Sequence, residues 1–162
     1  MTGRKLLLTR RSIRNFKKDE VPEKILWKIF EICRFSPTSK NSQSYYYIVI
    51  KNREILNFLA HIREYSLPLK NAPMAVAICV DPSKTKRVYE DGHIAAYHFM
   101  LAAWCYGIGT CWIAAMDRED VKEKLNIPKE HYIATITPVG YPEFIPEPPP
   151  RRKKEEMVKF IY

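Results

Sequence analysis

Three guanidinium groups fall within five residues near the start of the chain, at Arg10, Arg11 and Arg14, with Ser12 between them. Like charges that close repel one another unless solvent or an anion lies between them. A phosphate group is one natural solution, because each arginine presents aligned N–H donors to adjacent oxygens. A sheltered charge-assisted hydrogen bond contributes roughly 1.5–3 kcal/mol. Composition alone leaves a solvated basic surface open as well. A second group, Ser36-Pro37-Thr38-Ser39-Lys40-Asn41-Ser42-Gln43, carries hydroxyls, amides and loop N–H groups that could line a polar ligand. A plain helix-to-strand connection has the same composition. A third, Gly107-Ile108-Gly109-Thr110-Cys111-Trp112-Ile113-Ala114-Ala115, has glycines that permit close backbone approach. The apolar edge beyond them could offer backbone N–H groups to a flat ring. No phosphate-loop pattern is present, and no G-x-G-x-x-G opens a helix. The basic run Arg151-Arg152-Lys153-Lys154 reads by itself as a solvated tail.

The chain has 162 residues, the size of one ordinary domain, and 46% of them are hydrophobic, enough for a real core. Lysine plus arginine number 27 against 18 aspartate plus glutamate, a net charge of +9. That excess favours anionic partners: nucleic acid, an anionic membrane or a phosphorylated small molecule. Basic residues cluster at Arg4 to Arg14 and again at Arg151 to Lys154, and His93 to Met116 carries no lysine, arginine, aspartate or glutamate. Such a layout suits a buried core with a charged rim better than an extended nucleic-acid face. The 93–116 stretch is long enough to span a bilayer. Its histidines and its Gly107-x-Gly109 break read instead as a buried helix followed by a strand. The N-terminus shows no secretory leader pattern. The four cysteines, Cys33, Cys79, Cys105 and Cys111, form no C-x-x-C pair and sit among apolar neighbours. They are expected to be buried, reduced thiols in a cytoplasmic protein, with no metal site.

The elements that must position these groups follow from periodicity. Gly3 to Thr9 reads as a short helix. Pro22 is expected as the first residue of a second helix, with Ile25, Ile29, Ile32 and Cys33 on one face, ending near Ser36-Pro37. Tyr45 to Ile50 is a strand, and Arg53 to Glu64 has helical spacing. The apolar run Met74 to Val80 reads as a strand covered on both faces. Val88 to Tyr106 is a long helix, apolar all round in its second half, to be buried inside the domain or between subunits. Thr110 to Ala115 is a strand or loop edge. Asp117 is expected to cap a helix through Leu125, with Asp120 in the manner of a capping box, and Tyr132 to Val139 is a further strand. The final segment is rich in proline and charge yet ends in Met157-Val158-Lys159-Phe160-Ile161-Tyr162, as a docking arm would. Together these predict one α+β domain over 1–162, with a mixed sheet of four to five strands covered by helices on both faces.

Each motif is modest alone, but their order is specific. R-R-S-x-R-x-F, a helix, and S-P-T-S-x-N-x-Q running into a strand come first. Leu101-Ala102-Ala103, Gly107-Ile108-Gly109-Thr110-Cys111-Trp112, Asn126-Ile127-Pro128, Gly140-Tyr141-Pro142 and an arginine before Glu155-Glu156 follow. This arrangement resembles the nitroreductase family of FMN-dependent flavoproteins over nearly the whole chain. Ser44-Tyr45 stand where family members often have Pro-Trp, Thr38-Ser39 replace a smaller pair, and the chain lacks insertions that often shape the substrate pocket.

The resemblance implies an intertwined homodimer in which about 143–162 is an arm docking on the partner subunit. It implies that Arg10 and Ser12, with Arg11 between them, hold the FMN phosphate and ribityl chain, and that Arg14 faces the pyrimidine edge. Pro37, Thr38, Ser39 and Asn41 match a loop that reaches the other subunit's FMN. Trp112, Ile113 and Ala114 match the segment near flavin N5, and Arg151, with Arg152 as its rival, matches a late phosphate-binding arginine. The implied reaction is ping-pong hydride transfer from NAD(P)H through FMN to a small-molecule acceptor such as a nitroaromatic or quinone. The flavin carries the chemistry, so His61, His93, His98 and His131 are expected to be structural. Alternatives are a dehalogenase or dehydrogenase of the same fold, a non-catalytic flavin carrier, or a basic nucleic-acid-binding module; neither nucleic acid nor a membrane is the expected partner.

Overall fold

The seven residues Met74–Val80 (β2) are buried without exception, and the two directions in which their side chains point define the fold. Met74, Val76 and Ile78 pack with Leu26, Ile29 and Cys33 of one helix and with Phe99 of another. Ala75, Ala77 and Cys79 pack toward Leu56, Leu59, Leu69 and Val121 on the opposite side. An apolar run without alternation is what a central strand between two helical layers requires. Each fully buried valine or isoleucine side chain contributes roughly 1.5–3 kcal/mol.

The computed structural model describes residues 2–162. Its helices are α1 (Gly3–Thr9), α2 (Glu23–Cys33), α3 (Arg53–Ala60), α4 (Pro68–Asn71), α5 (Val88–Cys105) and α6 (Glu119–Lys124). The other strands are β1 (Tyr45–Ile50), β3 (Gly109–Thr110) and β4 (Tyr132–Gly140). The sheet has four strands in the order β1-β2-β4-β3. All three ladders are antiparallel, and the mixed character expected of the sheet enters through a parallel bridge between Ser12 and Thr110. Helices α2 and α5 cover one face; α3, α4 and α6 cover the other.

Several local expectations shift. Pro22 precedes α2 as its cap, with extended backbone (ψ 139°), and the fully buried stripe is Leu26, Ile29 and Cys33, with Ile25 and Ile32 beside it. Asp117 does not cap α6, whose N-cap is Arg118. The Asp117 carboxylate instead accepts the Ile133 N–H at 3.1 Å and pairs with Lys122 Nζ at 2.8 Å, tying α6 to the start of β4. Asp120 is engaged by Arg118 in a two-pronged contact, 2.9 Å on each prong.

Three cysteines are buried, but Cys105 is exposed, because it falls on the one face of α5 that turns away from the sheet. That face also presents Ile94 and Tyr97, 43% and 48% exposed, so α5 is not enclosed by its own chain. Gly92 lies on the opposite face, where an added Cβ would stand 2.9 Å from Val80 Cγ2; its absence lets α5 settle on the sheet. Among the described residues, no helix is long and apolar enough to cross a membrane.

Candidate functional site

Ser12 bridges Thr110 of β3, and further on Phe16 bridges Pro142. The Ile13 N–H donates to Thr110 O at 2.9 Å, and the Ile13 side chain is buried against Gly109. A Cβ on Gly109 would lie 2.7 Å from Ile13 Cγ1, so only glycine admits this approach. Extended chain alternates its side chains. With Ile13 inward, Arg10, Ser12 and Arg14 face one way and Arg11 the other.

Cys111 marks the meeting point of that outward set. Burial pushes its thiol up, while the nearby Arg14, Arg10 and Ser12 pull it down; the Sγ itself is directed at Trp112 O, 3.8 Å away. Two cations and a hydroxyl from one segment therefore lie near a buried sulfur at the end of β3, brought there by the pairing of Ser12 and Ile13 with Thr110. Among the described residues, neither Arg10 nor Arg14 is paired with a carboxylate. Arg11 is directed elsewhere: its Nη1 donates to Leu8 O and Arg10 O, both at 2.9 Å, closing the C-terminal end of α1.

Beyond Thr110 the chain leaves the ladder, and side chains replace the main chain in holding it. The Cys111 N–H donates to Thr137 Oγ1 at 3.1 Å, and the Ile113 N–H donates to Thr135 Oγ1 at 3.2 Å. Thr135 Oγ1 in turn donates to Ile113 O at 2.9 Å. Both threonines are fully buried. With the N–H groups of Cys111 and Ile113 turned to β4, alternation turns those of Trp112 and Ala114 away from it. The segment ends at Ala115, whose φ of 57° turns the chain sharply. Sequence reading passed over Thr135 and Thr137, although two polar β-branched residues at alternate positions of an apolar strand were a signal.

The polar loop is built differently. Thr38 Oγ1 accepts the Gln43 N–H at 3.0 Å, and the buried Asp91 of α5 receives the Ser39 N–H at 2.8 Å. Lys40, Asn41 and Gln43 all have positive φ. Pro37 lines a shallow depression with His93, Ile94, Tyr97 and Leu101. Among the described residues, no hydrogen bond joins this loop to Arg10, Ser12 or Arg14 of the same chain. Arg151 and Arg152 lie exposed on the C-terminal arm.

Three of the four histidines have ordinary partners. His131 Nδ1 meets the Tyr46 hydroxyl at 2.8 Å, His61 Nδ1 meets Asn57 O at 2.7 Å, and His93 Nε2 meets the Tyr132 hydroxyl at 2.9 Å. His93 also lies edge-on to Trp112, with ring centroids 5.5 Å apart. A separate groove of about 740 Å³ opens between α2 and β1, lined by Leu26, Trp27, Phe30, Tyr45, Tyr47 and Val49.

A protein of Archaeoglobus fulgidus, named provisionally as an NADH dehydrogenase/NAD(P)H nitroreductase, is 31% identical over 147 residues, covering 86% of this chain and 84% of its own. The solved structure of an FMN-dependent nitroreductase from Clostridium difficile R20291 superposes with a TM-score of 0.82 at 31% identity, covering 96% of each chain. A nitroreductase family protein from Clostridium difficile 630 gives a TM-score of 0.85 at 27% identity, over 99% of this chain and 98% of that one. The model of the family described as "Nitroreductase family" matches residues 7–78 and 64–141. With this spread of the match, the motif order and the α+β architecture in agreement, the chain belongs to the nitroreductase family.

Proposed function

We propose that this chain is an FMN-dependent oxidoreductase that uses NAD(P)H to reduce a small electron acceptor such as a nitroaromatic or quinone, working as a cytoplasmic homodimer. The observation that carries the proposal is the pairing of the Arg10–Arg14 segment with Thr110, which sets Arg10, Ser12 and Arg14 near Cys111 beside a segment whose alternate N–H groups are turned away from the sheet. Cations without carboxylate partners suit a phosphate, and main-chain N–H groups on an apolar strip suit the polar edge of a flat ring, so the residues present fit FMN.

In this reading Arg10 and Ser12 hold the phosphate and ribityl chain, and Arg14 faces the pyrimidine edge. Trp112, Ile113 and Ala114 border the ring, Arg151 or Arg152 adds a late phosphate contact, and the second subunit supplies Pro37, Thr38, Ser39 and Asn41. FMN, when bound, supplies the two-electron redox chemistry. The chain's own part is to bind, orient and tune it. Arg14 would stabilise negative charge that grows at the ring edge on reduction. Arg11, turned toward α1, has no direct part.

Three features support the dimer. The outward face of α5 carries Ile94 and Tyr97, exposed in the single chain. Strand β1 is paired on one side only, an open edge beside the aromatic groove. The arm ends in apolar residues, with Phe160 73% and Ile161 90% exposed. Unpaired edges and exposed apolar arms favour strand addition between subunits, and an isologous interface would create two equal sites.

The test is the visible spectrum of the purified protein, followed by bleaching on addition of NADH or NADPH. A yellow protein that bleaches supports the reading; a colourless one that takes up no added FMN refutes it. Turnover of nitroaromatics and quinones set against halogenated substrates separates reductase from dehalogenase.

A further inference from the structure

We propose that Asp91 is a positioning residue for the cofactor, fixing from the first turn of α5 the shape of the loop that reaches the partner's FMN. The inference rests on the FMN reading above and goes beyond it by assigning a residue outside every motif of the site.

Asp91 is 2% exposed, yet its hydrogen-bonding partners are neutral donors. Oδ1 accepts the Ser39 N–H at 2.8 Å, and Oδ2 accepts the hydroxyls of Ser42 at 3.2 Å and Ser44 at 3.1 Å. Burial alone would push this carboxyl up, but the combined hydrogen bonds outweigh burial and hold it below the ordinary carboxylate range.

The placement of these contacts carries the inference. Between Ser39 and Ser44 lie Lys40, Asn41 and Gln43, with φ of 53°, 54° and 48°. Residues other than glycine hold the left-handed region only where their surroundings over-determine it. One carboxylate grips the loop before this run, within it and after it. It thereby sets where the Ser39 hydroxyl, the Asn41 amide and the Lys40 main chain are presented. The Ser39 N–H is already engaged, so any hydrogen bond that Ser39 donates to a ligand comes from its hydroxyl. Asp91 also stands one turn before the exposed Ile94 on α5, so a single rigid element carries both the loop's anchor and the face offered to a second subunit.

The experiment compares wild type with Asp91→Ala, Asp91→Asn and Ser44→Ala, using Glu90→Gln as a surface control. Two quantities are read: FMN affinity by titration of flavin-free protein, and amide hydrogen exchange of residues 38–44 without flavin. Asp91→Ala should weaken FMN binding roughly tenfold or more and speed exchange across the loop. Asp91→Asn should fall between, because its amide oxygen still accepts the Ser39 N–H. Ser44→Ala should weaken binding roughly two- to threefold, and Glu90→Gln should change nothing. If Asp91→Ala does not fold, Asp91→Asn and Ser44→Ala carry the test. Lowered thermal stability with unchanged FMN affinity in every variant overturns the inference, since a merely structural role predicts that result. A wild type that binds no FMN overturns the function first and this inference with it. A wild type that binds, with variants that bind equally well, overturns this inference alone.

Discussion

The two halves of the proposed cradle are held in place by different kinds of contact. Residues 10–16 are fastened by main-chain pairing: Ile13 N–H to Thr110 O at 2.9 Å, Lys17 N–H to Tyr141 O at 2.9 Å and Glu143 N–H to Asn15 O at 3.1 Å. The loop from Pro37 to Ser44 has main-chain turns of its own and one main-chain bond at Ser44, but its anchoring to α5 comes from a side chain, Asp91. Main-chain pairing is indifferent to side-chain identity. A substitution at Arg10 or Arg14 should therefore remove one binding group and leave its neighbours standing. In the loop, one substitution should displace several groups together. The segment from Cys111 to Ala115 is intermediate, extended in path but secured by two threonine hydroxyls.

This contrast can be broken or sharpened by experiment. The largest effect is expected from removing residues 144–162, which takes away the arm and one candidate phosphate contact but leaves Glu143 on Asn15. Sedimentation should then show monomer, and the protein should no longer retain FMN; an intact yellow dimer would show that the arm holds nothing. Next, Arg10→Ala should raise the FMN dissociation constant about tenfold to a hundredfold, the equivalent of about 1.5–3 kcal/mol for a sheltered charge-assisted contact. Arg11→Ala should change it by less than about threefold, because that guanidinium closes α1 instead. Equal losses at both positions would undo the alternation on which the site is built.

A smaller effect is expected from Thr135→Val, which keeps the shape but strands the Ile113 N–H. Urea unfolding should show a loss of about 1–3 kcal/mol, with a shifted flavin absorption band if the segment moves. The smallest is a shift of potential. Arg14→Ala removes a positive charge from the edge where negative charge accumulates, so the bound flavin should become harder to reduce. A fall of roughly 30 mV corresponds to about a tenfold change in the two-electron equilibrium. An unchanged potential with FMN bound would remove Arg14 from that edge.

Legibility differed between these regions for physical reasons. The strand Met74–Val80 could be read because burial on both faces demands an unbroken apolar run. Helix α5 was likewise readable in extent, and its face with Cys105, expected to be buried inside the domain or between subunits, is exposed in the single chain. The Asp117 cap was misread because a carboxylate takes the strongest partners within reach, and Ile133 and Lys122 arrive only on folding. Arg11 was grouped with Arg10 and Arg14 because proximity in sequence was weighed above the alternation of extended chain. Asp91 left a signal that went unused: it lies four and eight residues before Ala95 and Phe99, on the stripe of α5 that faces the core.

By itself, the sequence determined most of the helices and strands, though not α4 (Pro68–Asn71), as well as which strand is central and which motifs stand in family order. These follow from local propensity, apolar periodicity and residue type. Only the tertiary structure decided which guanidiniums share a face, that threonine hydroxyls take over where the β3 ladder ends, and that a carboxylate some fifty residues away shapes the loop. Those outcomes depend on partners that meet only when distant parts of the chain pack, and on directional hydrogen bonds that no local pattern encodes.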